Sequence, residues 1–225
     1  MSDLSWLDRL AHDLRGPLAP LQTAAQLLSL PDLPAAQRDE LAAIIVRQTE
    51  ALTGMIQELA DWTSLLRGNP LGARAPCDLG YLLATARSSL DADSRALVVI
   101  HAPDAPLEMH ADAHRLVQAF ATLIRLRLRL GDGQPLALTL QPAGAEACIA
   151  FGEGIVFGEG IGATAAIAQA LERALVAPSP ESGGLGLSVP IAVAMVAAHG
   201  GRVQWQGDAH QRRLLCHLPL TRAND

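Results

Sequence analysis

Apolar residues recur near the start of the chain as Leu7, Ala11, Leu14, Leu18, Leu21, Ala25 and Leu28. Their spacing alternates four and three, which lays a heptad stripe along one face of a helix. Pro31-Asp32-Leu33-Pro34 breaks the pattern. A second stripe follows through Leu41, Ile45, Gln48, Leu52, Met55, Leu59, Trp62 and Leu66, and Gly68 with Asn69-Pro70 closes it. Two amphipathic helices joined by a short loop make a hairpin. A lone hairpin covers its seam on one side only, so two copies pairing into a four-helix bundle are predicted. Gln48 in the seam either helps set the register or occupies a partly exposed position.

Beyond the hairpin the pattern changes. Residues 69–78, with Asn69-Pro70 and Ala75-Pro76, read as a linker. Residues 79–90, 112–125, 165–175 and 189–198 read as helices. Residues 97–101, 136–140, 147–151, 203–206 and 214–218 read as strands. This order predicts an α+β two-layer sandwich over 79–222, following a hairpin domain over 1–68.

Composition narrows the chemistry. The chain has 225 residues, of which 50% are hydrophobic and 3% aromatic, so the core is built from Leu, Ala, Val and Ile. The length holds a hairpin and one sandwich, so no sensory domain is expected. There is no lysine, which excludes a Walker-type phosphate loop and Schiff-base chemistry. Cys77, Cys148 and Cys216 are far apart and form no CxxC pair, so neither a zinc site nor a disulfide framework is expected. The remaining histidines show no metal-binding pair within one helix. A net charge of −6 without a basic patch argues against nucleic acid as a partner. No apolar run is long enough to span a membrane, and the N-terminus lacks a signal-peptide layout. A cytoplasmic protein is expected.

His12 sits one residue off the first stripe, beside Asp13. A carboxylate there accepts from one imidazole nitrogen, holds one tautomer and leaves the other nitrogen nucleophilic. Pro17 removes a helix hydrogen bond and predicts a bend beside the histidine. The string Leu10-Ala11-His12-Asp13-Leu14-Arg15-Gly16-Pro17-Leu18 resembles the phosphoacceptor box of two-component histidine kinases. The resemblance implies that His12 is the phosphorylated residue and Asp13 its acid/base partner, with Arg15, Gly16 and Pro17 at the partner-binding surface. It departs at Gly16, where the family carries a Thr or Asn able to orient a water, so phosphatase activity by that route is not expected.

The second domain resembles the ATP-binding domain of the same family. Asp112-Ala113-His114-Arg115-Leu116-Val117-Gln118 matches the start of the asparagine-bearing helix. Gly152-Glu153-Gly154-Ile155 resembles a first glycine box and Gly183-Gly184-Leu185-Gly186-Leu187 a second. His199-Gly200-Gly201 and Leu218-Pro219-Leu220 match the family's tail. The chemistry-bearing positions of this nucleotide site have changed. The metal-binding asparagine falls at Leu126, the earlier asparagine at Thr122, and the adenine-binding aspartate at Ala150. Mg²⁺ takes oxygen ligands, and leucine has none. A second copy of the first box, Phe157-Gly158-Glu159-Gly160-Ile161, places Val156 at the aspartate position and restores nothing. The lid segment over 161–181 has Leu171 and Ala174 where the family has phenylalanines. Pro190 suits a first helical turn and favours a second box shifted to Gly186-Leu187-Ser188-Val189. Arg125, Arg127 and Arg129 read as a solvated edge or a terminal helix turn rather than as a phosphate-binding row.

The expectation is a two-component phosphorelay protein. Phosphoryl passes through His12 to or from a receiver aspartate of a response regulator or from a partner histidine kinase, and no cofactor or metal is needed. Two alternatives stand beside it. One is an active divergent kinase that uses ATP and Mg²⁺. The other is a non-enzymatic pseudokinase that binds and regulates a receiver or kinase.

Overall fold

A computed structural model describes residues 5–68, 70–131, 133–156, 161–178, 185–207 and 211–221. The two heptad stripes form α1 (Ser5–Leu28) and α2 (Ala35–Leu66). Helix α1 runs through Pro17 and Pro20. Pro34, with φ −59°, precedes α2 and sets its entry.

The linker expected over 69–78 ends early. Ala75–Asp78 form β1, which pairs antiparallel with β3 (Glu108–Ala111). These four-residue strands carry one proline, Pro76, and the polar or charged Asp78, Glu108 and His110, so alternation gives no strand signal. Between them lie α3 (Leu79–Ser88), α4 (Ala92–Ala96) and β2 (Val98–His101). Then follow α5 (Ala113–Leu130), β4 (Leu136–Ala143), β5 (Glu146–Val156), α6 (Ile161–Val176), α7 (Ser188–Ala198), β6 (Arg202–Gly207) and β7 (Gln211–Pro219).

Among the described residues, five strands make the main sheet in the order β2-β4-β5-β7-β6, with only β2 and β4 parallel. Helices α3, α5 and α7 cover one face. Leu116, Phe120 and Leu123 of α5 and Val189, Met195 and Val196 of α7 are buried there against Leu138, Ile149, Phe151 and Leu214. Alternation explains the choice. On β5, Ala147, Ile149 and Phe151 belong to the core, so the intervening residues face the other side. The result is the predicted hairpin followed by a two-layer α/β sandwich.

Three aspartates, Asp78, Asp91 and Asp112, start helices by capping them. Asp78 accepts from the Gly80 N–H at 3.1 Å and Asp112 from the Arg115 N–H at 3.1 Å. The backbone N–H of Asp112 donates to Nε2 of His199 at 3.0 Å, and Nδ1 of His199 lies 2.7 Å from the Met195 carbonyl. An accepting Nε2 requires the proton on Nδ1, so the imidazole is neutral and its tautomer is set. Burial holds its pKa below the ordinary value. The unfolded chain therefore binds a proton that the folded protein refuses. Stability is expected to fall as pH drops below the unfolded value of about 6.5, by up to about 1.4 kcal/mol per pH unit. Urea unfolding at pH 7.5 and 5.5 measures this, and His199→Gln should remove that part of the difference.

Candidate functional site

The candidate chemistry lies on the hairpin. His12 projects from α1 with 84% of its side chain exposed, and its Nδ1 is 3.4 Å from Oδ1 of Asp13. A carboxylate only accepts, so this pairing keeps the proton on Nδ1 and leaves the Nε2 lone pair facing solvent. Arg15 and Gly16 are exposed beside it, and Pro17 is buried against the hairpin. A Cβ added at Gly16 would meet nothing within 4 Å. A water-orienting side chain would fit there, and the chain supplies none.

The first stripe divides into two layers. Leu14, Leu21 and Leu28 are half-buried against α2, whereas Ala11, Leu18 and Ala25 of the same predicted seam are exposed. Ala24 rather than Ala25 is buried, at 2% exposure. Leu18, Leu27, Val46 and Ile56 are exposed large apolar side chains of the hairpin. One copy of the chain therefore covers only part of the first stripe, whereas the second is half-buried from Leu41 to Trp62.

The six nucleotide-site positions expected in the sandwich that fall in the described residues do not gather around one cavity. Leu126 is 1% exposed inside the apolar core that also holds Leu171, Leu175 and Leu187. Thr122 donates its hydroxyl to the Gln118 carbonyl at 3.0 Å and lines a cavity of about 250 Å³ facing α2. Ala150 lies mid-strand on β5, paired with Thr139 and Leu215 on the face away from the core.

Gly152 and Gly154 are not in a loop. They sit within β5 at a register shift between Phe151 and Ile155, with φ of +81° and +112°. They line a separate cavity of about 410 Å³ with Arg127. Gly186 has φ +77° just before α7. Gly184, Gly183 and residues 157–160 of the doubled box lie outside the described residues. Helix α7 starts at Ser188 with Pro190 in its first turn, in keeping with the shifted second box. Residues 161–176 of the expected lid form α6, where Leu171 and Ala174 are buried and the Leu171 carbonyl accepts from Nε1 of Trp205 at 3.2 Å.

One arginine corrects the expected solvated row. Arg127 is in the last turn of α5 but is buried, and its Nε donates to the Phe151 carbonyl at 2.8 Å. A Cβ on Gly152 would meet its Nη2 at 2.9 Å, so the glycine bulge makes the room. Burial lowers the arginine's pKa. Arg125 and Arg129 are exposed.

A junction between hairpin and sandwich carried no sequence signal. Asp61 on α2 is 2% exposed and accepts from Arg115 Nη1 at 2.5 Å, Gln118 Nε2 at 2.7 Å and Gln57 Nε2 at 3.0 Å. Glu58, one turn earlier, accepts from the Leu185 N–H at 3.0 Å. Burial raises its pKa against the lowering effect of backbone hydrogen bonds from Leu185 and Leu187. Trp62 and Leu65 pack against the sandwich core beside them. Asp61 falls between Leu59 and Trp62 of the second stripe, and only the docked α5 reveals why a charge belongs there.

Comparison with known proteins agrees with this architecture. Residues 4–68 match the family described as "His Kinase A (phospho-acceptor) domain". A bacteriophytochrome of Pseudomonas aeruginosa is 27% identical over 200 residues, covering 86% of this chain and 26% of that protein. The probable sensor histidine kinase TcrY of Mycobacterium tuberculosis is 26% identical over 221 residues, covering 93% of this chain and 44% of that one. The chain thus spans between about a quarter and under half of these relatives' lengths. Among solved structures, histidine kinase ThkA in complex with the response regulator TrrA superposes with a TM-score of 0.66 at 15% identity, over 96% of this chain and 61% of that one. At that identity the likeness concerns the fold. The phospho-acceptor match over residues 4–68 and the sensor-kinase relatives along most of the chain support the two-component histidine kinase superfamily for this chain.

Proposed function

We propose that the chain is a histidine phosphotransfer protein: phosphoryl passes through His12 to or from a response-regulator aspartate, and the sandwich domain does not spend ATP. One contrast carries this reading. His12 is exposed with its carboxylate partner in place, while the position corresponding to the family's metal-binding asparagine is a leucine 1% exposed in the core. Nothing in that leucine can hold Mg²⁺.

The transfer step balances simply. Nε2 of His12 attacks the phosphorus of an aspartyl phosphate, a P–N bond forms, and the P–O bond to the receiver breaks. The ring gains positive charge as this happens, and Asp13 stabilises it through the Nδ1–H. The reverse step returns phosphoryl to a carboxylate. The exposed heptad layer of Ala11, Leu18 and Ala25 supports pairing with a second copy, and apolar positions repeated at seven residues suit a four-helix bundle. The fold shared with ThkA, solved with a response regulator, supports a receiver as the partner. Among the described residues, no helix is long and apolar enough to cross a membrane, and we place the protein in the cytoplasm.

The test is transfer from a receiver charged with labelled phosphate, in the absence of nucleotide. Label on His12, stable to base, labile to acid and absent from His12→Ala, is the expected result. Calorimetry with millimolar Mg-ATP should show no binding heat. Binding heat with ATP-dependent labelling of His12 would identify an active kinase instead. An unlabelled His12 with competent receivers would leave a non-enzymatic regulator.

A further inference from the structure

Arg127 is a buried cation without a carboxylate to answer it. It is 6% exposed, and its Nε donates to the Phe151 carbonyl. Its Nη1 is buried with no hydrogen-bond partner. Among the described residues no carboxylate forms an ion pair with it. Its lowered pKa has burial as its cause, with no neighbouring negative charge acting against it. A guanidinium held this way is costly to bury, and an anion placed against it would offset that cost.

Arg127 lines the cavity of about 410 Å³ at the C-terminal end of α5. Much of its wall is hydrocarbon, from Leu128, Leu130, Pro135 and Leu136. The β5 bulge leaves the guanidinium uncovered on one side, since a Cβ at Gly152 would meet Nη2 at 2.9 Å. Thr122, Leu126 and Ala150, which the family resemblance assigns to nucleotide contact, are not among the lining residues. Charge then sets the class of ligand. One guanidinium answers one negative charge. Glu153, an exposed lining residue, and the last carbonyls of α5 both add negative character. A phosphate dianion would bring a second charge with nothing to pair it. A carboxylate brings one, on a planar pair of oxygens that matches the guanidinium fork. The apolar wall suits a hydrocarbon body behind it.

We propose that Arg127 and this cavity form a binding site for a small monocarboxylate with an apolar tail. The carboxylate pairs with the guanidinium, and the tail lies against Leu128, Leu130 and Leu136. The site goes beyond the phosphotransfer reading and does not depend on it, because neither His12, a receiver nor a nucleotide takes part.

The full chain provides the test, with octanoate as the probe and 1-octanol and inorganic phosphate beside it. NMR titration follows the Nε–H of Arg127 and the methyl groups of Leu128, Leu130 and Leu136. Octanoate should shift all of them saturably. Octanol, which has the tail without the charge, should bind roughly tenfold more weakly or worse, as loss of a charge-assisted hydrogen bond implies. Phosphate should move none of these signals. Arg127→Met keeps bulk and removes the charge, so it should bind octanoate no better than octanol. If that variant loses its fold by circular dichroism, the wild-type ratio of octanoate to octanol affinity and the Arg127 Nε–H shift decide. Absence of shifts at millimolar octanoate, equal binding of octanol, shifts confined to the exposed apolar residues of the hairpin, or displacement of octanoate by phosphate would each overturn the proposal.

Discussion

Leu126→Asn is expected to destabilise the protein by about 3–5 kcal/mol and to leave it without Mg-ATP binding. The substitution restores the residue type that the family resemblance assigns to this position. The surroundings are wrong for it. Leu126 is 1% exposed on α5, in one apolar cluster with Leu123, Phe151 and Leu171. Asparagine there forfeits leucine's packing and buries an amide among hydrocarbons. Each loss is costly alone, and both occur at once. Loss of the folded baseline in urea unfolding measures the first part of the prediction, and calorimetry the second. A variant as stable as wild type, or one that binds Mg-ATP, would show that this helix face still opens onto a nucleotide site.

Asp13→Asn is expected to slow phosphoryl uptake by His12 by about 10²–10⁴-fold, the range typical of a positioned acid/base partner. Asparagine keeps an oxygen near Nδ1 but loses the charge that steadies the developing imidazolium. The pair is 3.4 Å apart and largely solvated, so the effect on stability should stay below about 1 kcal/mol. Single-turnover transfer from a charged receiver gives the rate, and thermal melting gives the stability. A variant that transfers at the wild-type rate would remove Asp13 from the mechanism. The two measurements separate chemistry from fold because His12 stands on an exposed face.

How much was legible varied by element. The hairpin was readable because heptad spacing is local: Leu14, Leu21 and Leu28 reveal a helix face without knowledge of its partner. What faces what was not readable. Ala11, Leu18 and Ala25 satisfy the same repeat yet remain exposed in one chain. Strand β4 alternates visibly and β5 carries a continuous apolar run, whereas β1 and β3 are too short and too polar to announce themselves. Gly152 and Gly154, which resemble a first glycine box in the sequence, form an irregularity within β5 that makes room for Arg127. A glycine motif records backbone freedom, and that freedom serves a bulge or a ligand equally well.

By itself the sequence determined the presence of the hairpin, the placement of His12 beside Asp13, and the absence of asparagine from α5. Each is a matter of residue identity or of spacing within a few turns of chain. Only the tertiary structure decided that Leu126 lies in the core, that Arg127 is buried under Gly152, and that Glu58 and Asp61 tie α2 to the sandwich. Asp61 and Arg115 are far apart along the chain, and Glu58 and Leu185 farther still. The energy of such contacts depends on which surfaces exclude water together, and no local pattern records that.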